Sequence, residues 1–148
     1  MLEGILVVAA EPSVSRRVPA SRIDPALREA RSCYDHLAGR LGVGLADALI
    51  AKGALALTED AGEITDAGRK FLISFGIPTH VPRQSRGLNC RPCLDWSERR
   101  WHIAGVLGTA LLERCLELRW ISRAAEGRVI TVSAIGRRGF AQTFGLKP

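Results

Sequence analysis

Cys33 and His36 stand three residues apart, and Cys90 and Cys93 form a Cys-x-x-Cys on a segment that contains Pro92. Thiolate sulfur and imidazole nitrogen are donors that zinc favours, so the two pairs make a permissible four-ligand set. Asp95 and His102 are spare donors nearby in sequence. On a helix, residues three apart share a face, and Cys33 and His36 are expected to do so. A thiol-redox pair is the competing chemistry of the same cysteines. The plain alternative is packing: a buried free cysteine is usually an inert small hydrophobe. Tyr34 and Leu37 read as core, and so does Cys115 within its apolar stretch. No activated nucleophile and no glycine-rich phosphate loop accompanies these residues, so no catalytic residue is assigned and no enzyme is expected. A Cys-x-x-Cys oxidoreductase would need a βαβ pattern around Cys90, which is missing.

The elements that must position these residues can be read along the chain. Residues 1–23 look like the end of an apolar helix followed by a Pro- and Ser-containing linker. Asp24-Pro25 starts a helix, because Asp24 can cap and Pro25 needs no donor in the first turn. Helices are predicted from Pro25 to about Arg31, over Tyr34–Leu41 and over Leu45–Lys52, with Gly42-Val43-Gly44 as a break. Ala54–Thr58 and Glu63–Ile64 suit a strand pair. Thr65 caps a helix from Asp66 to Ser74 that ends at Gly76. Residues 78–99 form a connector carrying the Cys-x-x-Cys. Asp95 to Arg99 reads as a helix start, and Trp101–Leu118 as a long helix. Strands at Trp120–Arg123 and Arg128–Val132 and a Ser133-capped helix to Thr143 follow.

The second half repeats the first. At an offset of 66, HLAGRLG from His36 falls on HIAGVLG from His102, and Leu45 and Leu55 fall on Leu111 and Ile121. After a two-residue slip, TDAGR from Thr65 falls on SAIGR from Ser133, and Phe75-Gly76-Ile77 matches Phe144-Gly145-Leu146. Self-similarity of this length outranks any single motif. Each unit reads as helix, turn, helix, ribbon, helix. The fold class expected is therefore α+β, mainly α: two winged-helix-like repeats at 24–77 and 100–148 with short two-stranded ribbons. Gly42 is placed at the helix-turn-helix corner, where it permits a turn that a β-carbon resists. The histidines at matching positions, His36 and His102, are expected to cap or bridge backbone groups between the lobes, with Trp96 and Trp101 covering the join.

Composition sets the class. The chain has 148 residues, 47% hydrophobic and 24% charged, which suits a folded domain rather than a disordered or membrane-spanning one. No basic stretch precedes the apolar start, so a cytoplasmic location with reduced thiols is expected. The net charge of +6 is uneven: residues 1–76 sum to −1 and residues 77–148 to +7. A basic half attracts phosphates through counterion release, and Arg137 and Arg138 are the candidate DNA contacts. The helix at the corner, Gly44 to Lys52, has no Arg, Asn or Gln to read a base edge. The chain by itself is expected to bind DNA weakly and without sequence preference.

Three segments carry a resemblance: Arg31–Val43 (RSCYDHLAGRLGV), Thr65–Arg69 (TDAGR) and Cys90–Arg99 (CRPCLDWSER). Together they resemble the C-terminal region of bacterial ArsR-type winged helix-turn-helix regulators, over about residues 24–146. The resemblance implies a regulatory or effector domain of a repressor, acting on DNA through a preceding winged-helix domain. It also implies a homodimer in the full-length protein and a small effector.

Overall fold

The computed structural model of the protein describes residues 22–79 and 89–148. The apolar segment at 2–10, most of the linker at 11–23 and connector residues 80–88 lie outside the described residues. Helix α1 is Pro25–Glu29, with Asp24 Oδ1 accepting from the Ala26 N–H at 2.9 Å. It is shorter than expected because β1 begins at Arg31. Strands β1 (Arg31–Cys33) and β2 (His36–Ala38) form an antiparallel hairpin where a helix was expected over 34–41. Tertiary pairing overrides local propensity here. The free edge of β1 is bonded to the far end of the chain: Ser32 N–H donates to the Arg128 carbonyl at 2.9 Å, and Ile130 N–H to the Ala30 carbonyl at 3.1 Å.

Helix α2 (Gly39–Ala51) runs unbroken through Gly42, Val43 and Gly44, so the expected helix-turn-helix corner is not formed. Strands β3 (Leu55–Leu57) and β4 (Gly62–Ile64) make a second hairpin, followed by helix α3 (Asp66–Phe75). Thr65 caps α3 by accepting from Gly68 N–H, and Gly76 closes it at φ 94°. The second half runs through the same order. It has the hairpin of β5 (Arg91–Leu94) and β6 (Trp101–Ala104), helix α4 (Gly105–Glu117), the hairpin of β7 (Ile121–Arg123) and β8 (Ile130–Val132), and helix α5 (Ala134–Phe144). The long helix expected from Trp101 is thus a strand up to Ala104, and residues 91–94 of the expected connector are a strand. The architecture is α+β, with four two-stranded ribbons among the described residues. Each half is hairpin, helix, hairpin, helix.

The halves pack reciprocally, α2 against β6 and α4 against β2. Glycine makes the approach possible. A β-carbon on Gly42 would lie 2.4 Å from the Leu37 carbonyl oxygen and 3.4 Å from His102 Cβ; on Gly108 it would lie 2.4 Å from the Ile103 oxygen and 3.0 Å from His36 Cβ. Gly42 is therefore a close-packing residue inside a helix rather than a turn. The shared core contains Leu45, Leu49, Leu72, Leu107, Leu112, Cys115 and Phe140, all nearly inaccessible. An aromatic cluster joins α3 to the second half: Phe75 meets Trp120 at 5.5 Å and Phe144 at 5.3 Å between centroids. Trp120, rather than Trp101, covers this part of the join, and the edge-on Phe75–Phe144 pair adds to the area buried there.

Candidate metal centre

In β1–β2, Cys33 and His36 are directly opposite each other across a two-residue turn; in β5–β6, Cys93 and His102 are opposite each other across a longer loop. Directly opposed residues of an antiparallel pair present side chains on one face. The two hairpins meet along β2 and β6, so both pairs face one point. One donor atom from each of Cys33, His36, Cys93 and His102 lies within 4.8 Å of every other. A tetrahedral zinc ion with ordinary bond lengths spaces its donors about 3.3–3.8 Å apart, so small side-chain adjustments close this set around an ion.

The imidazoles sharpen the argument. His36 Nε2 and His102 Nε2 are 3.0 Å apart. On the other side of each ring a carboxylate waits: Asp35 Oδ1 lies 3.2 Å from His36 Nδ1, and Asp95 Oδ2 lies 3.0 Å from His102 Nδ1. A carboxylate accepts from Nδ1–H, which leaves the Nε2 lone pair free. With both rings so oriented, two lone pairs converge on one point, where both nitrogens are available to a metal ion. A carboxylate behind the imidazole is how metal-bound histidines are held.

Asp95 is the hub of the site. It accepts from Arg31 Nη2 (3.0 Å), Gly39 N–H (2.7 Å), Ser97 N–H (3.0 Å), Ser97 Oγ (2.7 Å), Glu98 N–H (3.0 Å) and His102 Nδ1. Its side chain is 0% exposed, and that of Arg31 is 3% exposed. Burial opposes its charge, but hydrogen bonds from His102, Ser97, Gly39 and Glu98 outweigh burial and hold the carboxyl well below the usual range. Burial pushes the Cys93 thiol up to about 11, with Cys33 adding to the rise. Burial lowers His36 despite the opposing pull of Asp35. Thr109 and His36 hold Asp35 below its ordinary value. A bound dication would reverse the thiol shift, because a coordinated thiol gives up its proton.

Of the expected ligands, Cys33, His36 and Cys93 come together, and Cys90 does not join them. Cys90 sits in the core, where its sulfur crowds Gly62, and burial pushes it up to about 11. The reason is the pleat: three residues along an extended strand is an odd step, so Cys90 and Cys93 face opposite sides. His102 takes the fourth place, and Asp95 supports it from behind. The residues after Asp95 form a single turn inside the β5–β6 loop rather than a helix. The histidines meet each other, not the backbone. Tyr34 is 84% exposed, not core. Cys115 is core, with its thiol raised to about 12 by burial. Arg137 and Arg138 are exposed on α5.

Sequence reasoning missed one signal. Arg31-Ser32-Cys33-Tyr34-Asp35 matches Arg91-Pro92-Cys93-Leu94-Asp95 at an offset of 60, while the histidines match at 66. Two offsets on either side of one point mean a six-residue insertion, Trp96–Trp101, in the second hairpin. They also pair Cys with Cys and Asp with Asp.

The chain matches no described protein family. No solved structure matches it. It is 39% identical over 147 residues to a Bacillus subtilis (strain 168) protein described as an uncharacterized HTH-type transcriptional regulator, YdfF. That alignment takes in 99% of this chain and 65% of the relative, so the chain spans somewhat under two thirds of the relative's length. Among the described residues no helix is long and apolar enough to cross a membrane.

Proposed function

We propose that Cys33, His36, Cys93 and His102 bind one zinc ion, and that the metal fixes the two halves of a regulatory module of an ArsR-type helix-turn-helix transcription regulator. The observation that carries the metal is the pair of converging Nε2 atoms, each backed by a carboxylate and flanked by a cysteine across its own hairpin. Four protein donors fill a tetrahedral shell, which is the pattern of structural rather than catalytic zinc. Each half supplies one cysteine and one histidine, so the ion clips hairpin to hairpin. The regulator reading is supported by the Bacillus subtilis relative, a protein described as an HTH-type transcriptional regulator. In it, DNA is read by a winged-helix domain ahead of this region, the full-length protein is a homodimer, and this module answers to a small effector. Arg137 and Arg138 contribute only unspecific attraction to phosphates.

A second reading is favoured by one contact. The Cys33 and Cys93 sulfurs lie within 4.8 Å of each other, so the same pair suits a thiol-redox sensor. Elemental analysis and thiol counting on protein purified without added metal separate the two. About one zinc per chain with both thiols protected until chelation is the expected result. Metal-free protein that takes up no zinc against a chromophoric chelator would overturn the metal reading. For the regulator reading, the complete gene product is expected to retard its own promoter fragment selectively, and loss of selectivity with random DNA would sink it.

A further inference from the structure

A cavity of about 510 Å³ lies where β1, the end of α1, the β5–β6 loop and the turn before β8 converge. That volume is in the range of small-molecule sites. Leu27 and Val129 give it aliphatic walls. Tyr34 and Trp96 stand at it with large exposed ring area, 84% and 51% of the residue respectively. Two exposed aromatic rings beside one cavity are unusual in a chain with only 5% aromatics.

Tyr34 is also badly suited to its turn. Its φ is 58°, a left-handed conformation that a two-residue hairpin normally assigns to Gly, Asn or Asp. A bulky residue held there is a strained one, and such strain collects at ligand sites. The turn does not ask for an aromatic ring, so the ring has another use.

The charges select the ligand. A guanidinium lies near each ring: Arg31 is 4.1 Å from the Trp96 centroid, and Arg128 is 5.7 Å from the Tyr34 centroid. Arg31 is committed to Asp95, Ser97 and the Leu27 carbonyl. Arg128 has no carboxylate partner among the described residues. The cavity therefore combines apolar walls, two aromatic faces and one guanidinium whose planar fork is open to an anion.

We infer that this cavity binds a small aromatic carboxylate, its ring against Tyr34 and Trp96 and its carboxylate on Arg128. The inference goes beyond the metal reading and does not need it. It does give the two a physical link: Cys33 lines the same cavity and is bonded in sequence to Tyr34, so an occupant bears on a proposed zinc ligand.

The test is calorimetric titration of the metal-replete chain with 2-naphthoate, 2-naphthamide and octanoate, zinc content being measured on the same sample. Naphthoate should bind saturably at one site. The neutral amide and the aliphatic acid should each bind at least about tenfold more weakly. Arg128→Gln should lose the preference for acid over amide. Tyr34→Gly should weaken naphthoate while leaving the melting temperature unchanged or higher, since glycine relieves the turn. No naphthoate binding below millimolar concentration, equal binding of the amide, or unchanged affinity in folded Arg128→Gln would each overturn the inference. Because zinc is assayed separately, a sample with full zinc and no naphthoate binding refutes this site alone.

Discussion

The hairpins β1–β2 and β5–β6 place the same three side chains, a cysteine, a histidine and an aspartate, yet they treat the aspartate differently. In the first, Asp35 occupies a two-residue turn and its side chain is 68% exposed. In the second, six extra residues fold back over Asp95 and exposure falls to 0%. Both carboxylates reach the Nδ1 of a histidine at almost the same distance. Only Asp95 also binds Arg31 and the first N–H of α2, both from the other half. One insertion has turned a peripheral acceptor into the buried joint of the two units. The distance to the histidine is thus a poor measure of what each aspartate does; the number of donors deprived of water around it is a better one.

The largest effect should follow Asp95→Ala. It strands the buried Arg31 guanidinium and five other donors, and removing one member of a buried pair costs about 3–5 kcal/mol. A domain of this size has about 5–15 kcal/mol in total, so the loss is a large fraction of it and the urea midpoint should fall well below the parent's. A midpoint within experimental error of the parent would break the comparison outright. Next comes the metal. Chelation, or Cys93→Ser, should lower the melting temperature together with zinc content; a free zinc level a thousandfold above Kd corresponds to about 4 kcal/mol. Cys90→Ser should leave zinc content unchanged, because Cys90 faces the core. Zinc loss from Cys90→Ser but not from Cys93→Ser would contradict the geometry.

Smaller effects come from pH, read on chelated protein by urea unfolding. The folded state resists protonating His36, whose pKa burial lowers, so stability should decline as pH falls below about 6.5. Asp95 stays ionised when folded but takes a proton when unfolded, so a second decline should begin near pH 4. At the alkaline end Cys93 is the reverse case: its stabilising contribution is present below pH 9 and disappears between 9 and about 11. A plateau from about pH 7 to 9 is the expected shape. Stability that rises on acidification from pH 7 to 5 would contradict the lowering of His36 by burial.

Much of this is legible in the amino-acid sequence, though unevenly. The caps Asp24, Thr65 and Ser133 and the ribbons after α2 and α4 follow from local chemistry, since a cap bonds its own helix and a ribbon its own neighbour. The hairpin at Arg31–Ala38 does not, because its other edge is held by residues 128–130, almost a hundred positions away. Reading that stretch as a helix gave Cys33 and His36 a shared face by the wrong geometry. Reading residues 78–99 as a connector sent the second pair to Cys90, which the pleat of β5 turns away from Cys93. The offset change from 60 to 66 would have exposed both, since it matches Cys33 to Cys93 and Asp35 to Asp95.

Asp35→Asn should have the smallest effect and tests the comparison most finely. Asparagine keeps an oxygen that can accept from His36 Nδ1–H and removes only the charge. The replaced carboxylate is largely in water, and the loss should fall within about 0.5 kcal/mol in urea unfolding. Zinc affinity, measured by chelator competition, should fall less than tenfold, below the usual 10- to 100-fold cost of losing such a partner. Asp95→Asn loses the charge in a dry site facing a guanidinium, so its zinc affinity should fall by tenfold or more in the same assay. If the two asparagine variants lose equal affinity, burial does not decide how a carboxylate supports its histidine, and the six-residue insertion has some role other than drying Asp95. If Asp35→Asn is the more damaging, the exposed turn is the part that holds the imidazoles in register.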